Sequence, residues 1–170
     1  MKKIMFDTNV FNVIVNESLD VNLFIDKGDF YITHLQLDEI QKTPDEERRK
    51  KLLEVFNKFS EISIPTENLV LDVSRLGEAK IGSEIIATES AVYGISKYGR
   101  CNFSNKGNFY TPIKDKLDRI NKSKPSNIQD ALIAETCIKN GYTLITHDKS
   151  LYSITTFFHG ACANIYELID

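Results

Sequence analysis

The chain lacks any apolar run long enough to cross a bilayer, which takes roughly 20 residues. It has four prolines and eight glycines in 170 residues, too few for a low-complexity tail, and no internal repeat. Cysteine is scarce as well. Cys101, Cys137 and Cys162 are odd in number and widely spread, which argues against a disulfide framework. None of the three histidines, His34, His147 and His159, pairs with a cysteine at finger-like or ribbon-like spacing, so zinc is not expected. Cys137 falls in an apolar helical pattern and reads as core. The opening residues MKKIMFDTN are interrupted by an acid at position 7 and read as a first strand, not a secretion signal. We expect a cytoplasmic protein with no membrane partner.

What remains is ordinary for one compact domain over 1–170: 42% hydrophobic and 26% charged residues. The net charge of −3 is unevenly spread. Residues 97–124 carry eight basic and two acidic side chains, a net +6 that leaves −9 elsewhere. A basic segment on an otherwise acidic chain suggests an anionic partner at one place. Its cations are interleaved with Tyr98, Phe103, Phe109 and Tyr110, and cations on phosphates with aromatics beneath bases is the physics of single-strand binding. Lys106, Lys114 and Lys116 are candidate phosphate contacts. The competing reading is a solvated basic face with its aromatics in the core.

Residues 3–7 read as a strand covered on both faces. Helices are expected at 9–16 and 19–27, a strand at 29–33, and a helix beginning over 35–41. Thr43 and Pro44 then suggest the cap and first residue of another helix. Residues 61–65 read as a strand, 67–79 and 82–97 as helices, 99–112 as a loop, and 113–121 as a short basic helix. Ser126 and Gln129 fit a capping box opening a helix that runs to Asn140, with Gly141 as its stop. A strand at 142–146 and a short strand near 162–166 complete the chain. Strands alternating with helices predict a three-layer α/β/α domain with a mainly parallel central sheet.

Ligands in such sheets bind beyond the carboxyl ends of the strands. Asp7 and Asp148 each follow an apolar strand, Glu39 lies about one turn into the helix after the second strand, and Asp130 lies in the first turn of the helix opened by Ser126. Buried carboxylates are costly without a cation, a hydrogen-bond shell or a raised pKa. Several together repel, and Mg²⁺ or Mn²⁺, hard ions that favour carboxylate oxygen, resolve that conflict. Singly, each acid has a plainer reading: Asp7 as a helix cap, Asp130 as a partner of the helix dipole, Glu39 as a solvated helix acid, Asp148 as a turn or helix cap.

The stretches FDTNVF, LQLDEI and NIQDALIAETCIKNGYTLITHDKSL together resemble the PIN-domain ribonucleases. The matching positions are Asp7, Asn9, Glu39, Asp130, Thr146 and Asp148, and the resemblance is strongest over 1–45 and 125–152. It implies a metal-dependent endoribonuclease that binds one or two Mg²⁺ or Mn²⁺ ions and hydrolyses RNA. Asp7, Glu39, Asp130 and Asp148 would hold the metal, with Asn9 and Thr146 orienting them. It also implies, for toxin-type members, a small antitoxin protein as partner and a homodimer. A stand-alone RNA-processing nuclease is the other type it fits. The stretch between Glu39 and Asp130 is longer than in small toxin-type members. His147 stands where a small polar residue is common, and reads either as a substrate contact or, more simply, as a solvent-exposed turn residue. Two rival classes stay open: a PIN-like module that binds RNA or protein without cutting, and an aspartyl-phosphate phosphatase. The phosphatase chemistry wants a second acid where this chain has Asn9.

Overall fold

The computed structural model describes residues 1–75, 77–80 and 109–168. Five strands form one sheet: β1 (Lys2–Phe6), β2 (Gly28–Ile32), β3 (Ile62–Ser63), β4 (Thr143–Ile145) and β5 (Ala161–Ala163). Their order is β3-β2-β1-β4-β5, and every pairing is parallel. Seven helices lie among the described residues: α1 (Thr8–Glu17), α2 (Asn22–Ile25), α3 (His34–Gln41), α4 (Glu46–Phe59), α5 (Tyr110–Asn121), α6 (Asn127–Asn140) and α7 (Lys149–Phe157). A 3₁₀ turn follows at Ile165–Leu168.

The alternation of the central strands builds two cores. Ile4 and Phe6 join Val10, Phe11, Phe56, Phe59 and Ile145 on one face. Met5 joins Ile113, Leu117, Leu132, Cys137, Leu144 and Leu151 on the other. Successive side chains of a strand point to opposite faces, so a strand apolar at every position has a helical layer on each side. That is the three-layer α/β/α architecture with a parallel sheet expected from the alternation of elements. On the first face Phe6 packs against Phe11, Phe30 and Phe59 with ring centroids 4.9–5.7 Å apart. Gly28 lets β2 lie close to β1, since a Cβ there would sit 2.3 Å from the carbonyl oxygen of Lys2. Among the described residues Cys137 and Cys162 are unpaired, and Cys137 is buried in the second core. No helix among the described residues is long and apolar enough to cross a membrane.

The order of the strands places the site. From β1 the chain winds outward through β2 to the edge at β3. It then returns to the other side of β1 for β4 and β5. The winding direction reverses between β1 and β4, and the diverging connections leave a crevice at the carboxyl ends of these two strands.

Several expected elements differ. No helix forms over 67–79 among the described residues, where turns and a bridge between Thr66 and Ala79 stand instead. Polar side chains compete with the helical backbone there. The Thr66 hydroxyl donates to the Asn68 carbonyl at 3.0 Å, the Val70 amide donates to Ser74 Oγ at 3.0 Å, and Asp72 is left-handed at φ 69°. Helix α4 starts at Glu46, later than the Thr43–Pro44 pair suggests, because Asp45 caps it through the Arg48 amide at 3.0 Å. Ser126 precedes α6 but makes no capping bond, since its own backbone is already helical at φ −62° and ψ −24°. Helix α5 begins at Tyr110, inside the expected loop, and α2 is only four residues long. Helix α7 follows Asp148 directly and is an element the sequence pattern left undrawn. Gly141 ends α6 at φ 66°, as its position suggests. The helix expected at 82–97 lies outside the described residues.

Candidate metal centre

Asp7 occupies the step from β1 into α1. Its amide donates to the Ile145 carbonyl at 2.9 Å, pinning the carboxyl end of β1 to that of β4. Although Asp7 stands at the cap position of α1, its side chain makes no capping hydrogen bond. The carboxylate turns instead to Thr146, whose hydroxyl donates to Asp7 Oδ2 at 2.7 Å. That hydroxyl is a hub. It accepts from the Asp148 amide at 3.0 Å and from Asn9 Nδ2 at 3.3 Å. Asn9 Oδ1 accepts from the His147 amide at 3.2 Å. One buried threonine and one asparagine thus lock the residue after β1 to the loop after β4.

Asp148 caps α7, with Oδ1 accepting from the Ser150 and Leu151 amides at 2.7 and 3.0 Å. The helix it opens explains its fixed position, and a cap and a ligand are compatible roles for a group with two oxygens. Glu39 comes from α3, whose place is set by a residue the sequence pattern did not single out. Thr33 and Gln36 form a capping box, and Gln36 Nε2 reaches across to donate to the Phe6 carbonyl at 3.0 Å. Gln36, fully buried, therefore ties the helix bearing Glu39 to the strand bearing Asp7. A threonine three residues before a glutamine at a strand end was the available signal. Asp130 sits half-buried in the first turn of α6.

Electrostatics link all four acids. Asp7 is pushed up from 3.8 to about 7, first by burial and then by the Glu39 and Asp148 charges, against the opposing pull of the Thr146 hydroxyl. Asp130 is pushed up to about 8 by burial and by the charges of Asp7, Glu39 and Asp148. The neighbouring carboxylates thus raise the cost of ionising Asp7 and Asp130. As placed, no three His, Cys, Asp or Glu side chains among the described residues form a group tight enough to ligate one ion. Glu39 and Asp148 lie near enough to Asp7 and Asp130 to act on them electrostatically, without gathering at a point. The donor set still suits a hard divalent cation, being all oxygen and carrying several like charges close together.

His147 is not a freely solvated turn residue. It is half-buried, with its ring edge-on to Tyr166 at 5.5 Å and its Nε2 buried without a partner among the described residues. The basic segment is only partly described. Lys114 pairs with Asp118 at 2.5 Å, and Lys116 lies 3.9 Å from the centroid of the Phe157 ring. Both cations thus have partners already. Tyr110 belongs to the core, while Lys106 lies outside the described residues. A further acid, Glu135, is fully buried on α6, where it pairs with Lys139 at 3.0 Å, accepts from the Phe109 amide at 3.1 Å and binds Asn68 Nδ2. Its surroundings are satisfied and structural, unlike those of Asp130.

No protein-family model and no curated protein sequence matches the chain. Among solved structures it is similar to the crystal structure of FitAcB from Neisseria gonorrhoeae. The alignment covers 96% of this chain and 98% of that one, at 16% identity and a TM-score of 0.41. A likeness at that level carries no weight for function. The chain's own residues bear on function through an all-oxygen acidic crevice at the switch point of a parallel sheet.

Proposed function

We propose that the chain is a single-domain, Mg²⁺- or Mn²⁺-dependent endoribonuclease. The observation that carries this reading is the electrostatic burden that burial and the neighbouring Glu39 and Asp148 charges place on Asp7 and Asp130. Asp7, Asp130 and Asp148 would hold one or two ions, with Glu39 bound directly or through water. A bound ion supplies an acidified water and offsets charge growing on the phosphate and the leaving oxygen.

The chain's own residues do the positioning. Thr146 fixes the Asp7 carboxylate by its hydroxyl, and Asn9 holds the His147–Asp148 backbone in place. Such supporting bonds orient ligands and raise their affinity for metal. Asn9 spends both ends of its amide on this bridge, which leaves it no part in the acid–base work that an aspartyl-phosphate phosphatase asks of that position. RNA as the substrate rests on the sequence resemblance, with the basic residues of 97–124 as the compensating charge. Reversing several of those charges should weaken RNA binding and flatten its salt dependence.

The deciding assay is RNA cleavage with Mn²⁺ or Mg²⁺, with EDTA and Asp7→Asn as controls. Cleavage that needs the metal and is lost in the variant supports the reading, whereas cleavage that survives Asp7→Asn comes from another protein. The resemblance fits two biological settings, a toxin held by a small antitoxin protein and a stand-alone RNA-processing enzyme. Co-expression with the product of an adjacent small reading frame, followed by size measurement, separates them and reports on a homodimer.

A further inference from the structure

A second concavity opens beside the acidic crevice. Its volume is about 350 Å³, and its walls include His147, Asp148, Lys149, Tyr152, Asn164 and Glu167. We propose that it is a nucleobase subsite, which takes the base of a nucleotide adjoining the bond to be cut. The proposal rests on the nuclease reading of the acidic crevice and adds a recognition element to it.

Three features select a base over a phosphate or a metal. The charge is wrong for an anion, since among the described walls Asp148 and Glu167 oppose the cation of Lys149. The walls combine an aromatic face with amide, carboxylate and ammonium groups, which together suit a planar, uncharged group rich in donors and acceptors. The volume also falls in the ~300–1,000 Å³ range of small-ligand pockets.

The walls are held in advance. The His147 amide is fixed by Asn9, and its ring stands nearly perpendicular to the Tyr166 ring at 88°. Tyr166 is itself anchored by donating its hydroxyl to Glu17 Oε2 at 2.6 Å. Asn164 and Glu167 are set by their own turn, in which Asn164 Oδ1 accepts from the Tyr166 amide at 2.8 Å and Glu167 Oε1 accepts from the Asn164 amide at 3.1 Å. Walls already ordered lower the cost of seating a ligand. Tyr152 is the exception: 37% exposed on α7, it offers an aromatic face to whatever enters. Asp148 lines this concavity and also acts electrostatically on Asp7 and Asp130, so a base seated here lies close to the acids.

The test uses short single-stranded RNA and a set of derivatives, each lacking the base at one position. Binding is measured by fluorescence anisotropy in Mg²⁺ on the Asp7→Asn background, and cleavage is measured in parallel with the unmodified chain. Loss of one particular base should weaken binding about 5–100-fold. Adding Tyr152→Ala should weaken binding of the intact RNA to a similar degree and make that position silent, while Tyr152→Phe should preserve the sensitivity. Unfolding temperatures of the two Tyr152 variants should match the parent. A scan with no sensitive position, or one unchanged by Tyr152→Ala, overturns the subsite and leaves the nuclease reading standing if the unmodified chain cuts. If no RNA is bound or cut, both fall.

Discussion

Replacing Asp7 by asparagine should make the metal-free protein more stable while abolishing its activity. Burial and the charges of Glu39 and Asp148 move this carboxyl from 3.8 to about 7. Holding it ionised in the fold at pH 8 therefore costs about 4 kcal/mol. Asparagine has the shape of the neutral acid and keeps an oxygen for the Thr146 hydroxyl, and the stronger bond of the ionised acid to that hydroxyl is already contained in the shifted pKa. The expected gain at pH 8 is about 4 kcal/mol. In a chain of this length that is a rise in Tm of about 8–16 °C.

The sign depends on pH. The folded pKa lies above the unfolded one, so the native state keeps its proton where the unfolded chain has lost it. Through this group the wild type is thus unpenalised below about pH 4 and loses stability as pH rises towards 7, whereas Asp7→Asn keeps only the smaller loss that Asp130 contributes. Thermal unfolding followed by circular dichroism in EDTA, from pH 4 to pH 8, measures both limits. Excess Mn²⁺ at pH 8 should raise the wild type and leave the variant in place. A variant no more stable than wild type at pH 8, or equally stabilised at pH 4, would refute the account of Asp7 as a buried, mutually repelled acid.

Thr146→Val keeps the shape but removes the hub hydroxyl. It should lower Mn²⁺ affinity about 10–100-fold by calorimetric titration, with Thr146→Ser restoring it. Gln36→Met should lose the capping box and the bond to Phe6, costing about 1–2 kcal/mol in urea unfolding and weakening metal binding through the displaced Glu39. Glu135→Ala removes the acceptor shared by Lys139, the Phe109 amide and Asn68 Nδ2. It should cost about 3–5 kcal/mol by the same measurement, and an unchanged urea midpoint would show that Glu135 is not the anchor described.

How much of this was legible before any coordinates depends on the kind of signal. β1, β4 and α6 were readable because a parallel strand covered on both faces is apolar without interruption, and because Gly141 marks a left-handed stop that few other residues tolerate. Helix starts were less readable. Thr43, Asp45 and Ser126 are all acceptable caps by residue type, and only the surrounding chain decides which forms the bond. Residues 67–79 were misread because Thr66 and Ser74 turn their hydroxyls on neighbouring backbone, a choice invisible to apolar periodicity. At the site, the positions of Asp7, Asp130 and Asp148 at element ends could be read directly. The bridges Thr146–Asp7 and Gln36–Phe6 span 139 and 30 residues, and nothing in a linear pattern says which partners such side chains will find.

The burial of Glu135 has one more implication. Asn68 and Phe109 flank residues 81–108 on opposite sides, and both end on this single carboxylate of α6. The departure and return of the chain are moored to the same helix that presents Asp130. Loosening either mooring would therefore be felt in the helix that sets Asp130.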